Sequence, residues 1–184
     1  MSDYRRYFVP GGTYLFTLVT YDRRPILVGP DGCPPLRQAI QDVRQRHPFR
    51  LVATVLLPDH WHVVLSLPAG DDDYSQRLRL IKAGFTNRFL NSGGKAAEVT
   101  SSQGKRGERG VWQPRFWEHT IFDEEDLHRC VDYVHWNPRK HGLVARVADW
   151  PWSTFHPFVA AGHYDADWGG TDPEFVREER DWGE

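Results

Sequence analysis

Residues 56–67 read Leu56-Leu57-Pro58-Asp59-His60-Trp61-His62-Val63-Val64-Leu65-Ser66-Leu67. Pro58 and Asp59 predict a tight turn between two strands. Because side chains alternate across a strand, His60 and His62 share one face while Trp61 and the hydrophobic residues at alternate positions after it face a core. Two imidazoles one pleat apart can share a metal ion, although an isolated pair is more often a tolerated surface pattern. The stretch predicts a hairpin that carries two candidate metal ligands.

The segments on both sides of this hairpin alternate between strand and helix patterns. Strands are predicted over residues 13–21, 49–57, 60–67 and 116–121. Helices are predicted over residues 36–47, 75–90 and 123–136. The order βαββαβα predicts an α+β fold of the ferredoxin-like or RRM-like type. We expect an antiparallel sheet with two helices on one face, and an opposite face open to a ligand.

Two segments fall outside this plan. Residues 91–110 show no periodicity and are rich in glycine and basic residues, which predicts a long mobile loop. Residues 148–184 are dense in aromatic side chains and end in an acidic run. We therefore predict a main domain over residues 1–147 and a C-terminal extension, 148–184, that packs on it.

Composition limits the class of protein. The chain has 184 residues, enough for one domain with a core of its own. Its start lacks the apolar stretch of a signal peptide, and no run is long enough to cross a bilayer, so we expect a cytoplasmic protein. Cys33 and Cys130 are far apart and form no C-x-x-C pattern, which predicts two small hydrophobic residues and neither a disulfide nor a thiolate metal site.

The net charge of −2 hides a strong asymmetry. Residues 77–115 carry nine Lys or Arg against two acids, whereas residues 164–184 carry eight acids against two Arg. A basic middle segment is compatible with a polyanionic partner, and also with an ordinary solvated surface. If the partner is a polyanion, the acidic tail is expected to compete with it for the basic face.

The third predicted helix contains Val131-Asp132-Tyr133-Val134-His135-Trp136-Asn137-Pro138. Tyr133 and Asn137 are four residues apart and therefore share a helical face. If this face meets the histidine face of the sheet, one ion can take His60, His62 and the Asn137 amide oxygen, with Tyr133 at its edge. Such a mixed set suits Mg²⁺ or Mn²⁺ better than structural zinc. The alternative for Tyr133 is a buried tyrosine that bonds a carbonyl.

These motifs resemble the Y1 transposases of IS200 type, in the HUH endonuclease superfamily, and most closely their subgroup of REP-associated tyrosine transposases. The resemblance spans about residues 4–158 and rests on residues 4–12, 57–62, 112–119, 132–144 and 150–154. It implies that residues 1–147 form the catalytic domain. It also implies a divalent metal on His60 and His62, Tyr133 as the nucleophile that forms a 5′-phosphotyrosine link, and Asn137 where the family places a variable third ligand.

The resemblance implies single-stranded DNA as the partner, in the form of a REP-type hairpin with a neighbouring tetranucleotide. An open sheet face holds unpaired bases more easily than a stiff duplex, and basic side chains can track phosphates. The residues that we expect to contact DNA are Arg5, Arg6, Arg79, Lys82, Trp112, Arg115, Phe116 and Lys140.

Several alternatives stay open. The same βαββαβ order occurs in RRM-like modules that bind single-stranded nucleic acid without catalysis, although those present aromatic residues where His60 and His62 stand. A metal nuclease that uses water in place of Tyr133 also fits. Either His135 or Lys140 could serve as the base for Tyr133, and we assign neither. We expect a monomer that completes its site within one chain.

Overall fold

The sheet of the protein has four antiparallel strands in the order β2-β3-β1-β4. The computed structural model describes residues 7–170. The strands are β1 (Thr13–Val19), β2 (Arg50–Leu56), β3 (His60–Ser66) and β4 (Trp117–Ile121). All four predicted strands are therefore confirmed, each within a few residues of its expected ends, and the strand order is that of a ferredoxin-like fold.

Five α-helices and two short 3₁₀ turns connect and cover these strands in the described part of the chain. The helices are α1 (Cys33–Arg46), α2 (Tyr74–Asn91), α3 (Ser101–Lys105), α4 (Glu124–Lys140) and α5 (Phe155–Ala160). The 3₁₀ turns are Tyr21–Arg23 and Val147–Asp149. Helix α1 begins three residues earlier than predicted, because prolines are tolerated in a first helical turn, where their missing N–H has no partner to lose.

The hairpin behaves as its alternation predicts. The Leu57 N–H donates to the carbonyl of His60 at 2.9 Å and closes the turn. Trp61, Val63 and Leu65 are at most 2% exposed and pack in one core with α1 and α2. The histidines consequently face the other side of the sheet.

That other side is not open, which differs from our expectation. Helix α4 packs across it, and its Val131 and Val134 join Leu15 and Val64 of the sheet in a second core. The amphipathic pattern of α4 supplies the reason, because its apolar side chains need a partner and the uncovered sheet face is the available one. The sheet therefore lies between two layers of helix.

Helix α4 continues past the point at which Pro138 was expected to end it. An internal proline removes one intrahelical hydrogen bond and crowds the carbonyl four residues before it, yet the helix accommodates Pro138 and runs on to Lys140. It ends in a Schellman motif: Leu143 N–H donates to the Pro138 carbonyl and Gly142 N–H to that of Arg139, each at 2.9 Å. Gly142 has φ 66°, a conformation that favours glycine. The extra turn places Lys140 beside the ring of Tyr133, and His141, which follows it, beside His60 of β3.

The segment predicted as a structureless loop contains helix α3. Thr100 and Gln103 form a capping box, in which each side chain bonds the backbone N–H of the other. The Gln103 amide also donates to the Tyr21 hydroxyl at 3.0 Å and so ties the segment to the body. The S/T-x-x-Q signal was present in the sequence and was missed.

The described part of the C-terminal extension, residues 148–170, packs on the body. It runs along the outer edge of β2, where the Leu56 N–H donates to the Trp152 carbonyl at 2.8 Å and the Thr154 N–H to the Thr54 carbonyl at 2.9 Å. The extension thereby occupies backbone groups that an edge strand would otherwise expose. The acidic residues beyond 170, and with them most of the tail hypothesis, lie outside the described residues.

Within residues 7–170, no helix has both the length and the apolar character of a bilayer-crossing segment.

His135 of α4 is fully buried under the extension. Its Nε2 and the Thr154 hydroxyl are hydrogen-bonded at 2.9 Å, and the rings of Phe155, Phe158 and Tyr164 surround it. This burial lowers the pKa of His135 to about 3. The imidazole is therefore neutral in the folded protein.

We expect acid to destabilise the protein through His135. The folded-state pKa of His135 lies below the ordinary value of 6.5. The neutral imidazole therefore contributes fully to the stability of the folded protein when the pH is well above 6.5, and this contribution decreases as the pH falls towards 3. The loss at pH 5.5 is about 1.4 kcal/mol of unfolding free energy. The free energy of unfolding of the wild type and of His135→Gln is measured with denaturant at pH 7.5 and at pH 5.5. The difference between the two proteins should be smaller at pH 5.5 by that amount. A difference that is the same at both pH values contradicts this expectation.

Candidate active site

His60, His62 and Tyr133 lie together between β3 and α4. The ring centroids of His60 and His62 are 4.8 Å apart, and those of His62 and Tyr133 are 5.3 Å apart. All three side chains are buried, with exposed fractions of 2%, 0% and 2%. The packing of α4 on the sheet therefore brings the two imidazoles of β3 to the phenol on the helix.

A hydrogen bond to Nδ1 orients each of the two imidazoles. The Asp59 carboxylate accepts from His60 Nδ1 at 2.6 Å, and Thr17 Oγ1 lies 2.9 Å from His62 Nδ1. A carboxylate that accepts from Nδ1 leaves Nε2 as the nitrogen that can ligate a metal. His60 is thus arranged for ligation through Nε2, and in His62 the Thr17 hydroxyl occupies Nδ1.

Asp59 is itself held in place by the segment after β1. Arg23 Nη1 donates to its carboxylate at 3.1 Å, and the Thr20 hydroxyl donates to its backbone carbonyl at 2.9 Å. Burial opposes ionisation of Asp59, but the His60 and Arg23 contacts outweigh it and keep the pKa of this carboxyl below its ordinary value. Asp22 and Arg23 both have positive φ, 53° and 50°, a conformation disfavoured for these residue types.

Asn137 lies between two residues that contact the histidines. Tyr133 is four residues before it and contacts His62, and His141 is four residues after it, with its ring centroid 5.0 Å from that of His60. Asn137 is fully buried, and because residues at spacings of four share a helical face, it lies on the same face of α4 as Tyr133. His141, which follows the last helical residue, was not among the predicted site residues.

Lys140 and His135, the two residues considered as bases, lie in different places. The Lys140 ammonium lies 5.0 Å from the centroid of the Tyr133 ring. His135 instead packs under the extension beside Thr154, with a strongly lowered pKa. Of the two residues, Lys140 is the one beside the phenol.

The residues predicted to contact DNA are spread over the molecule. Arg79, Arg115 and Lys140 are exposed. Trp112 is only 6% exposed, with its ring 5.2 Å from that of Phe85. Its burial in the core is the physical reason why the predicted DNA contact of Trp112 is not supported.

Two further predicted contacts are engaged inside the protein, and two lie outside the described residues. The Lys82 ammonium donates to the carbonyl of Gln113 at 2.5 Å, and burial lowers its pKa to about 8. Phe116 packs edge-on against Phe16 at 5.6 Å. Both side chains thus hold the segment that precedes β4. Arg5 and Arg6 lie outside the described residues.

A second group of metal-ligand type was missed in the sequence. The ligand atoms of His119, Asp126 and Cys130 lie within 4.8 Å of one another, and His119 Nε2 is 2.8 Å from the Asp126 carboxylate. The carboxylate also accepts from the Phe122 N–H at 3.2 Å, and so joins β4 to the start of α4. The four-residue spacing of Asp126 and Cys130 was the available signal. Cys130 is fully buried in the second core, as expected for a small hydrophobic residue, and it also belongs to this group.

Comparison with known proteins identifies the family. No family model matches the chain. A REP-associated tyrosine transposase of Escherichia coli is 43% identical over 180 residues, 98% of both chains. A relative from Haemophilus influenzae is 42% identical over 170 residues, 92% of this chain and 94% of its own. A solved structure of a REP-associated tyrosine transposase bound to a REP hairpin matches 98% of both chains at 43% identity, with a TM-score of 0.77.

The chain belongs to the REP-associated tyrosine transposase family. This confirms the resemblance inferred from the sequence motifs, together with the α+β fold that it implied. The chain is therefore related to DNA transposases over nearly its whole length. Membership of the REP-associated tyrosine transposases gives the cluster of His60, His62 and Tyr133 a chemical context.

On the hypothesis that His60 ligates a metal ion, we expect Asp59→Asn to weaken metal binding, because His60 would be oriented less firmly. Loss of an outer-shell carboxylate typically costs about 10- to 100-fold in metal affinity. Titration calorimetry with Mn²⁺ measures this change. Asp22→Asn is the matched control, because it removes a neighbouring acid at a left-handed position that asparagine tolerates. Equal Mn²⁺ affinity in the wild type and Asp59→Asn would contradict the orienting role.

Proposed function

We propose that the protein cleaves and rejoins single-stranded DNA, with Tyr133 as the nucleophile and a divalent metal on His60 and His62. The observation that carries this proposal is the contact between the His62 and Tyr133 rings, centroids 5.3 Å apart, in a buried site of a REP-associated tyrosine transposase. A phenol beside paired imidazoles matches the needs of phosphodiester transfer better than those of passive binding.

Mg²⁺ or Mn²⁺ suits the donors that face Tyr133. His60 and His62 would provide Nε2 atoms, and Asn137 an amide oxygen, a set of nitrogen and oxygen ligands that leaves positions for phosphate oxygens. When bound, the ion would withdraw charge from the scissile phosphate and make its phosphorus more electrophilic. The Asp59 and Thr17 contacts to the Nδ1 atoms support this assignment, because they fix which nitrogens face the ion.

The step assigned to Tyr133 balances without an external energy source. Its oxygen forms a bond to phosphorus while the bond from phosphorus to the 3′ oxygen breaks. The phenolic proton is lost and the leaving 3′ oxygen gains one. One phosphodiester replaces another, so the 3′-hydroxyl of a second strand can reverse the step and rejoin DNA. The Lys140 ammonium, beside the Tyr133 ring, would stabilise negative charge that develops there.

The proposed substrate is a REP-type hairpin with an unpaired flank that contains a short recognition sequence. A relative with 43% identity has been solved bound to a REP hairpin. Exposed Arg79, Arg115 and Lys140 would contact its phosphates. We retain Arg5 and Arg6 as proposed contacts on sequence grounds.

We expect Tyr133→Phe to abolish covalent capture of DNA, because phenylalanine keeps the ring and removes the attacking oxygen. The wild type is incubated with Mn²⁺ and a REP-hairpin oligonucleotide labelled at its 3′ end, so that the labelled fragment stays on the protein. Denaturing gels should show an adduct that disappears with EDTA and in Tyr133→Phe, while Tyr7→Phe, an exposed tyrosine, retains it.

The same assay separates the alternatives. Cleavage that survives Tyr133→Phe without an adduct supports a nuclease that uses water. Hairpin binding with neither cleavage nor adduct in the wild type supports an RRM-like binding module. Either result overturns the role proposed for Tyr133.

We expect a monomer of about 21.4 kDa in solution. Tyr133 contacts His62 of its own chain, and α4 packs on its own sheet, so one chain contains every residue of the proposed site. Size-exclusion chromatography with light scattering measures the mass. A stable dimer of twice this mass would contradict the expectation.

A further inference from the structure

A groove lies between α1 and the extension, on the side of the sheet away from Tyr133. It consists of two adjoining cavities of about 270 and 430 Å³. The residues that line both cavities are Cys33, Arg37, Gln41, Pro151 and Trp152. None of them contributes to the site described above, so the groove needs an explanation of its own.

One wall of the groove is basic. Arg37, Gln41 and Arg44 line it at spacings of four and three residues, which places them on one face of α1. Both guanidinium groups belong to exposed side chains, and neither lies within ion-pair distance of an acid in residues 7–170. Their charge is thus available to an anion.

Two arginines of α2 are used differently. Arg77 of α2 is 3% exposed and pairs with Asp71 at 2.5 Å, and Arg88 pairs with Asp42. Those guanidinium groups are neutralised within the fold. Arg37 and Arg44 therefore differ from structural arginines, and Arg44 is further oriented by the Phe49 ring, 5.8 Å away.

The opposite wall is aromatic and firmly held. The half-buried Trp152 lies between two backbone hydrogen bonds that fix its segment on β2, one from Leu56 N–H at 2.8 Å and one from Thr154 N–H at 2.9 Å. Its ring contacts that of Trp150 edge-on, with centroids 4.9 Å apart. An aromatic ring held opposite a basic wall is the arrangement with which proteins stack unpaired bases and track their backbone.

We propose that this groove binds the flank of the DNA substrate, with Arg37 and Arg44 on its phosphates and Trp152 stacked on an unpaired base. The identity of the polyanion rests on the proposed function. The extension connects the two places, because Trp150 packs in the same core as Tyr133 while Trp152, two residues later, lines the groove. A strand that leaves Tyr133 would pass over the extension, which covers the β2 edge, to enter the groove.

Cys33 provides a direct test. It lines both cavities and is half-buried, whereas Cys130, the only other cysteine, is fully buried. In Tyr133→Phe, which keeps the DNA uncleaved, a saturating REP-hairpin oligonucleotide with single-stranded flanks should slow alkylation of Cys33 by N-ethylmaleimide at least tenfold. If saturating DNA leaves the alkylation rate of Cys33 unchanged, the proposal that the groove binds DNA is wrong.

The arginines are tested by salt dependence. Arg37→Ala/Arg44→Ala should reduce the steepness of log affinity against log salt by about 1.4, or about 0.7 for each phosphate contact of a single strand. The double variant should also remove the protection of Cys33 at DNA concentrations that saturate the wild type. Arg46→Ala is the matched control, an exposed arginine of the same helix outside the groove. Alanine favours helix, so both variants should fold. Equal slopes in the double variant and the control overturn the assignment.

Failure of this inference is distinguishable from failure of the proposed function. If Tyr133 forms an adduct but Cys33 is not protected, the proposed transposase chemistry stands and the proposed DNA binding in the groove is rejected. If DNA protects Cys33 but the wild type forms no adduct, DNA binding in the groove is supported and the role of Tyr133 as nucleophile is rejected.

Discussion

The packing of α4 across the second face of the sheet is the contact on which the candidate site depends. Val131 and Val134 of the helix meet Leu15 and Val64 of the sheet, and this apolar contact removes the histidine face from water. Charges that develop in such a buried site interact more strongly than they would in bulk solvent. The same contact sets the distance between the Tyr133 ring and the imidazoles. A hydrophobic interface thus fixes both the geometry and the electrostatics of the site.

Burying two imidazoles creates a demand for hydrogen-bond partners, and the surroundings of the hairpin meet it. Asp59 and Thr17 engage the Nδ1 atoms, and Asp59 in turn requires Arg23. Arg23 and its neighbour Asp22 adopt left-handed backbone conformations, which cost non-glycine residues of order 1–3 kcal/mol each. This strain lies beside the site and coincides with the Arg23 contact to Asp59, which is consistent with backbone geometry selected for orienting His60.

Local signals predicted much of the fold and the central residues of the site. The alternation around His60 and the four-residue spacing of Tyr133 and Asn137 depend only on the chain nearby. Contacts between distant segments were beyond such reasoning: the Thr17 contact with His62 depends on how β1 pairs with β3, and the sequence does not state that register. His141 was missed for a different reason. Pro138 was expected to end the helix, but α4 accommodates the proline and continues to Lys140.

The extension adds a second constraint on the helix that carries Tyr133. Cys130, Val131 and Val134 hold α4 to the sheet, whereas Asp132 accepts a hydrogen bond from Tyr164. His135 packs on the same side as Asp132, under the extension. Residues immediately before and after Tyr133 are therefore held by different parts of the protein, one on each side of the helix. Held in this way, Tyr133 as the proposed nucleophile would need little reorganisation before it reacts, and such preorganisation is a main source of catalytic power in sites that stabilise developing charge.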